Sequence, residues 1–139
     1  MKKVLMAIIF MTSLQAQEFT KSRVRLMPPN ASATGAFVNI QNPYDYDLTL
    51  LKASSSKAKT VELHTHMKED GMMKMREVPK IVIPSKGKVQ LKPGSYHIML
   101  IGLTSPLKLN EEIAIKLKFK ELNKEITIRP KVKKVGSMH

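Results

Sequence analysis

Cysteine is absent from the 139-residue chain, and tryptophan is absent as well. Without thiols the chain can form no disulfide and can offer no thiolate ligand to zinc or to a blue-copper electron-transfer centre. Aromatic residues make up only 5% of the sequence, too few to suggest a platform for stacking nucleic-acid bases. Methionine, with ten residues, is the soft metal ligand that remains.

Acidic residues are also scarce, with 11 Asp and Glu against 24 Lys and Arg, a formal net charge of +13. Such a charge is typical of proteins that bind nucleic acid, an anionic membrane or an acidic partner. Here the basic residues are scattered along alternating segments such as KLKFK (116–120), where they form solvated faces. We therefore expect no nucleic-acid partner and at most a transient contact with an anionic membrane.

One hydrophobic run occurs at the N-terminus. The basic start MKK, the apolar run VLMAIIFM (4–11) and the ending TSLQA follow the order of a secretory signal peptide, although Leu14 occupies a position where a small residue is preferred. We expect cleavage after Ala16 and a periplasmic protein. An uncleaved anchor is the alternative, but the run is short for a membrane span. No cysteine follows the run, which argues against a lipidated protein.

From residue 17 onward, apolar and polar residues alternate as they do in half-buried strands. The pattern predicts strands over 20–27, 34–42, 47–54, 59–66, 72–78, 80–84, 88–92, 94–103, 112–120 and 124–130. Short strands at this spacing predict an all-β fold, a β-sandwich or Greek-key β-barrel. We expect one domain over 17–130, with a hairpin that turns at EDG (69–71), and a basic, flexible tail over 131–139.

Histidine and methionine are concentrated in one window. Residues 64–99 hold three of the four His and five of the ten Met. In the segment GSYHIMLIGL (94–103), His97 and Met99 would share one face of a strand. Neutral imidazole and thioether together suit copper(I), whereas zinc binds thioether poorly and hard divalent ions prefer carboxylates. The composition favours copper(I) as a carried ion.

The segments VELHTHMKEDGMMKMREV (61–78) and LKPGSYHIMLIGL (91–103) closely resemble the periplasmic copper chaperones of the PCuAC family. That family has a His, a Met eleven positions later, and a His-x-Met pair twenty-two positions after the Met. The resemblance extends over about residues 34–129 and implies a cupredoxin-like β-barrel that binds one Cu(I) and delivers it to respiratory cytochrome oxidases. By position, it implies four ligands: His64, Met75, His97 and Met99.

The sequence assigns no role to the remaining His and Met residues near the motif and at the C-terminus: His66, Met67, Met72, Met73, Met138 and His139. In a regular strand His66 shares a face with His64, so a supporting or transient ligand role is open, but an exposed, non-ligating His66 is favoured. Met72 or Met73 could cover the site as an apolar lid, and ordinary packing is equally expected. For the last two residues a flexible end is favoured over a copper role.

The sequence thus predicts a monomeric, exported Cu(I) chaperone that exchanges copper with donor or acceptor proteins, among them cytochrome oxidase assembly components. We find no Ser-His-Asp set, carboxylate pair or phosphate loop, so we expect no enzyme. Two alternatives stay open. The same site could serve copper storage or detoxification, or the chain could be a basic surface-binding module whose His and Met residues only pack.

Overall fold

Eleven β-strands make up the fold in residues 17–135, the part of the chain that this computed structural model describes. The predicted signal peptide (1–16) and residues 136–139, with Met138 and His139, lie outside the described residues. The strands are β1 (Glu18–Arg25), β2 (Ala33–Gln41), β3 (Leu48–Ser54), β4 (Ala58–Glu69), β5 (Met72–Glu77), β6 (Ile81–Ile83), β7 (Lys88–Leu91), β8 (His97–Leu103), β9 (Ile115–Phe119), β10 (Ile126–Ile128) and β11 (Lys131–Lys133). Between residues 17 and 135 no helix is long and apolar enough to cross a membrane.

The strands form two sheets. The larger one has seven strands in the order β11-β1-β2-β8-β4-β5, with β7 also paired to β2, and the smaller one has the order β10-β9-β3-β6. Strands β2 and β3 are consecutive but lie in different sheets, so the segment between them, residues 42–47, crosses from one sheet to the other. This arrangement confirms the predicted all-β sandwich.

The hydrophobic core lies between the two sheets, and strand β9 shows how the sequence specifies it. Ile115, Leu117 and Phe119 are buried in the core, while Lys116 and Lys118 between them are exposed. Successive side chains on a strand point to opposite faces, so the alternation seen in the sequence directly gives one apolar and one solvated face.

The β4–β5 hairpin turns at the predicted position. Asp70 and Gly71 both have positive φ, at 51° and 76°, which is the backbone of the two-residue turns that match strand twist. In this hairpin His66 is directly opposite Met75, and His64 is directly opposite Glu77.

The predicted start of a flexible tail at residue 131 is wrong, because residues 131–133 form β11. This strand runs parallel to β1 and places Val132 beside Val24. The side chain of Val132 is 0% exposed, its N–H donates to the carbonyl of Glu111, and its carbonyl accepts from the N–H of Asn110. One buried valine and these backbone hydrogen bonds fix an otherwise basic segment against the rest of the fold.

Candidate metal centre

The four predicted ligands lie on one face of the seven-stranded sheet. His64 on β4 is directly opposite His97 on β8, and Met99 follows His97 by two residues on the same strand. On β5, Met75 is opposite His66, which is two residues from His64 on β4. Directly opposed residues and residues two apart share a face, so the sheet brings all four side chains to the same side.

This face is turned away from the hydrophobic core. On β8, Ile98 and Leu100 are fully buried between the sheets, so His97 and Met99 project from the outer face. His97 is nevertheless only 3% exposed. The ring of Phe37, whose centroid lies 6.3 Å from that of His97, helps to cover it. The outer face therefore has a small buried cluster of its own.

A cavity of about 470 Å³ opens onto this cluster. Three predicted ligands, Met75, His97 and Met99, line it, and His66 and Met73 line it as well. The cavity thus holds soft sulfur and nitrogen donors from β4, β5 and β8, and other parts of its wall come from β1 and β2.

His97 presents an unprotonated nitrogen to the sulfur of Met75. Its Nδ1 is 3.1 Å from the carbonyl oxygen of Ser95, which can only accept, so Nδ1 carries the proton and donates. The other nitrogen, Nε2, then holds a lone pair 3.0 Å from Sδ of Met75. Neither of these two atoms has a proton to donate, so the lone pairs of both are available to a cation bound beside them.

Burial lowers the pKa of His97 below its ordinary value of 6.5, because the charged imidazolium loses its solvation. The hydrogen bond to Ser95 acts in the opposite direction, while positive charge on His66, His64 or Arg25 lowers the pKa further. The neutral form, which is the form that can bind a metal, is therefore favoured.

His64 is oriented by a carboxylate. Its Nε2–H donates to Oε2 of Glu62 at 2.6 Å, and its Nδ1 is buried with no hydrogen-bond partner among the described residues. A histidine that donates one ring N–H to a carboxylate and leaves the other nitrogen free has the arrangement typical of metal-binding histidines. The two predicted His ligands would thus use different nitrogens, Nδ1 of His64 and Nε2 of His97.

The expectation that His66 is exposed is wrong. Its side chain is half-buried, its ring centroid is 5.2 Å from that of His97, and its Nδ1 is 3.4 Å from the carbonyl oxygen of Ser95. It lines the cavity because it sits directly across from Met75, whereas His64 lies outside the cavity lining.

The sequence interpretation also missed Glu62 and the Ser95 carbonyl. Glu62 could have been found by the rule that paired His97 with Met99, because it lies two residues before His64 and so shares its face. The role of a backbone carbonyl has no sequence signal.

Between residues 17 and 135, no group of three or more His, Asp or Glu side chains is placed to hold a metal ion. The donors gathered here are imidazole nitrogens together with thioether sulfurs. That set favours copper(I), a soft ion, over zinc or a hard divalent ion.

Comparison with protein families gives a match over residues 18–132 to the family described as "Putative lipoprotein LpqE-like". The chain is also 30% identical over 108 residues to "Putative lipoprotein Lxx21020" of Leifsonia xyli subsp. xyli (strain CTCB07), a match that covers 77% of this chain. The chain spans 65% of the length of that relative, which is less than two thirds.

Solved structures of similar fold include PCuAC domains. The solution structure of Cu(I)-bound DR1885 from Deinococcus radiodurans has a TM-score of 0.68 and 30% identity, over 88% of this chain and 83% of that one. The copper-bound PCuAC domain from PmoF2 has a TM-score of 0.72, over 86% of this chain and 93% of that one. At 17% identity, this match shows similarity of fold alone. These matches confirm the resemblance to PCuAC domains and the cupredoxin-like fold.

Proposed function

This chain belongs to the LpqE-like family, and from that premise we propose that it is a copper(I) chaperone whose ligands are His64, Met75, His97 and Met99. One observation carries the proposal: the lone pair on Nε2 of His97 faces the sulfur of Met75 at 3.0 Å with no proton to share. The Cu(I)-bound state of DR1885, at 30% identity, supports the choice of metal.

The chaperone would work by ligand exchange, without redox chemistry. Thioethers and neutral imidazoles carry no charge, so each bond to Cu(I) is weak individually and can be replaced singly by a partner's donor. Met75 is 42% exposed, so a partner could reach the ion from that side while His97 still held it. The oxidation state of copper stays unchanged during such a transfer.

A metal competition experiment tests the proposal. The protein should bind one Cu(I) per chain against a Cu(I)-selective chelator, and X-ray absorption of the complex should report both sulfur and nitrogen neighbours. Zn(II) should bind much more weakly, because two of the four donors are thioethers. Equal or tighter binding of Zn(II) would contradict the proposal.

We propose cytochrome oxidase assembly components as recipients, following the PCuAC resemblance. Storage or detoxification at the same site is the competing function. Deleting the gene and measuring both oxidase activity and copper tolerance separates the two. Delivery predicts loss of oxidase activity that added copper restores, whereas storage predicts copper sensitivity with normal oxidase activity.

We also propose export, from the N-terminal pattern in residues 1–16 and the lipoprotein names of the relatives. Cell fractionation, with N-terminal sequencing of the exported form, tests the proposed export and the cleavage after Ala16. Retention of the intact chain in the cytoplasm would overturn the proposed export.

A further inference from the structure

Three donors beside the four proposed ligands, Met27, His66 and Met73, also line the cavity, and the last two belong to the β4–β5 hairpin. His66 lies directly across from Met75 in the β4–β5 hairpin, and Met73 precedes Met75 by two residues on β5. All three side chains are therefore on the outer face of the sheet. Together they form a second group of one imidazole and two thioethers that shares Met75 with the proposed ligand set.

Exposure falls steadily from this group toward the buried histidine. Met73 is 62% exposed, Met75 is 42% exposed and His97 is 3% exposed. His66 is half-buried, and its ring centroid is only 5.2 Å from that of His97. Soft donors thus follow one another from solvent to the interior of the cluster.

His64 is reached differently. Its ring centroid is 5.6 Å from that of His97, but it lies outside the cavity lining, and its Nε2–H is engaged with Glu62. An ion that enters through the cavity therefore meets Met73 and His66 before it can reach His64.

We propose that His66, Met73 and Met75 form an outer copper(I) position through which the ion enters and leaves the inner site. The inference rests on the proposed copper(I) function and adds an ordered route to it. At the inward step the bonds from copper to Met73 and His66 break as bonds to His97, His64 and Met99 form, while Met75 keeps hold of the ion. Copper stays Cu(I), because the step exchanges thioether and imidazole ligands and transfers no electron.

The test measures exchange rate and affinity separately on the full chain under anaerobic conditions. Stopped-flow mixing of the copper-loaded protein with bicinchoninate follows the release rate, and equilibrium competition with the same chelator gives the affinity. The variants are His66→Ala and Met73→Leu. Met72→Leu is the matched control, because Met72 is 64% exposed on the same strand but projects from the opposite face. Met99→Leu serves as the inner-site reference.

We expect His66→Ala and Met73→Leu to slow release by about tenfold while the affinity changes by less than about threefold, since an outer position lowers the barrier more than it stabilises the bound state. Met72→Leu should match the wild type in both. Met99→Leu should instead lose affinity.

Release rates equal to the wild type in both outer variants would overturn the outer position. It would also be overturned if either variant lost as much affinity as Met99→Leu, because that residue would then be a resident ligand. Apo melting of each variant checks folding, and the high exposure of Met73 makes Met73→Leu informative even if His66→Ala unfolds. Failure of the wild type to bind Cu(I) at all would refute the proposed function itself and is therefore distinguishable.

Discussion

Met99 illustrates how one side chain can matter for binding and little for folding. It projects from the face of β8 opposite the core, next to the proposed ligand His97. Met99→Leu keeps the volume and apolar character, so we expect apo stability to change by less than about 1.5 kcal/mol. Cu(I) affinity should fall by at least about tenfold, the loss known for groups that merely support a ligand. Apo melting beside chelator competition checks both, and copper binding at wild-type strength would make Met99 a packing residue only.

Glu62 is expected to act through His64. The hydrogen bond from Nε2–H to its carboxylate fixes the ring so that Nδ1 stays free. Glu62→Ala should weaken Cu(I) binding by about tenfold, whereas Glu62→Gln, which keeps an acceptor oxygen, should retain most of the affinity. The same competition assay on both variants decides this. Equal losses in the two would mean that the charge, and not the hydrogen bond, is what matters.

Protons and copper compete for His97, and the direction of its pKa shift sets where that competition begins. Burial lowers the pKa below 6.5, so the folded apo protein keeps this imidazole neutral to lower pH than an ordinary histidine. Cu(I) affinity should change little as pH falls toward about 6.5 and should drop at lower pH, without vanishing while the thioethers hold the ion. An affinity that already falls steeply between pH 8 and 7 would contradict the lowered pKa of His97.

Among the strands, β11 shows that a short, mostly basic segment can stabilise the fold more than its composition suggests. Val132 is fully buried beside Val24, while Lys131 is exposed. Val132→Ala removes two buried methyl groups and should lower the free energy of unfolding by about 2 kcal/mol. Lys131→Ala should stay within about 0.5 kcal/mol of the wild type. Urea denaturation of the two variants tests whether residues 131–133 are part of the fold. Equal free energies of unfolding would mean that β11 does not stabilise the protein.

The strands were largely predictable and their partners were not. Alternation depends on local sequence, so it identified β4, β5 and β8 and placed His97 and Met99 on one face. Strand β11 was missed because a single valine between lysines carries no recognisable period. That His66, and not His64, lies across from Met75 depends on the hairpin register, which follows from the two-residue turn at Asp70 and Gly71.

At the scale of the whole molecule, the core and the candidate site occupy opposite faces of the seven-stranded sheet. The apo protein should therefore be folded, in contrast to zinc fingers, whose metal supplies the folding energy. Copper(I) bound to the native state alone should add about 2.7 kcal/mol at about 100 times the Kd, or roughly 10 °C in Tm. Calorimetry of the apo and copper-loaded protein measures this. An unfolded apo protein would show that the site is part of the fold.

The alternation along β8 also has a consequence for genetics. Ile98 and Leu100 maintain the fold, and their neighbours His97 and Met99 face the other way. Selection can therefore alter cargo handling without altering how much of the protein accumulates in the cell. Under the proposed delivery function, an allele changed only on the outer face would persist at normal abundance, compete for the same partners and deliver no copper. Such an allele should interfere with the wild-type copy, whereas a null allele should be recessive.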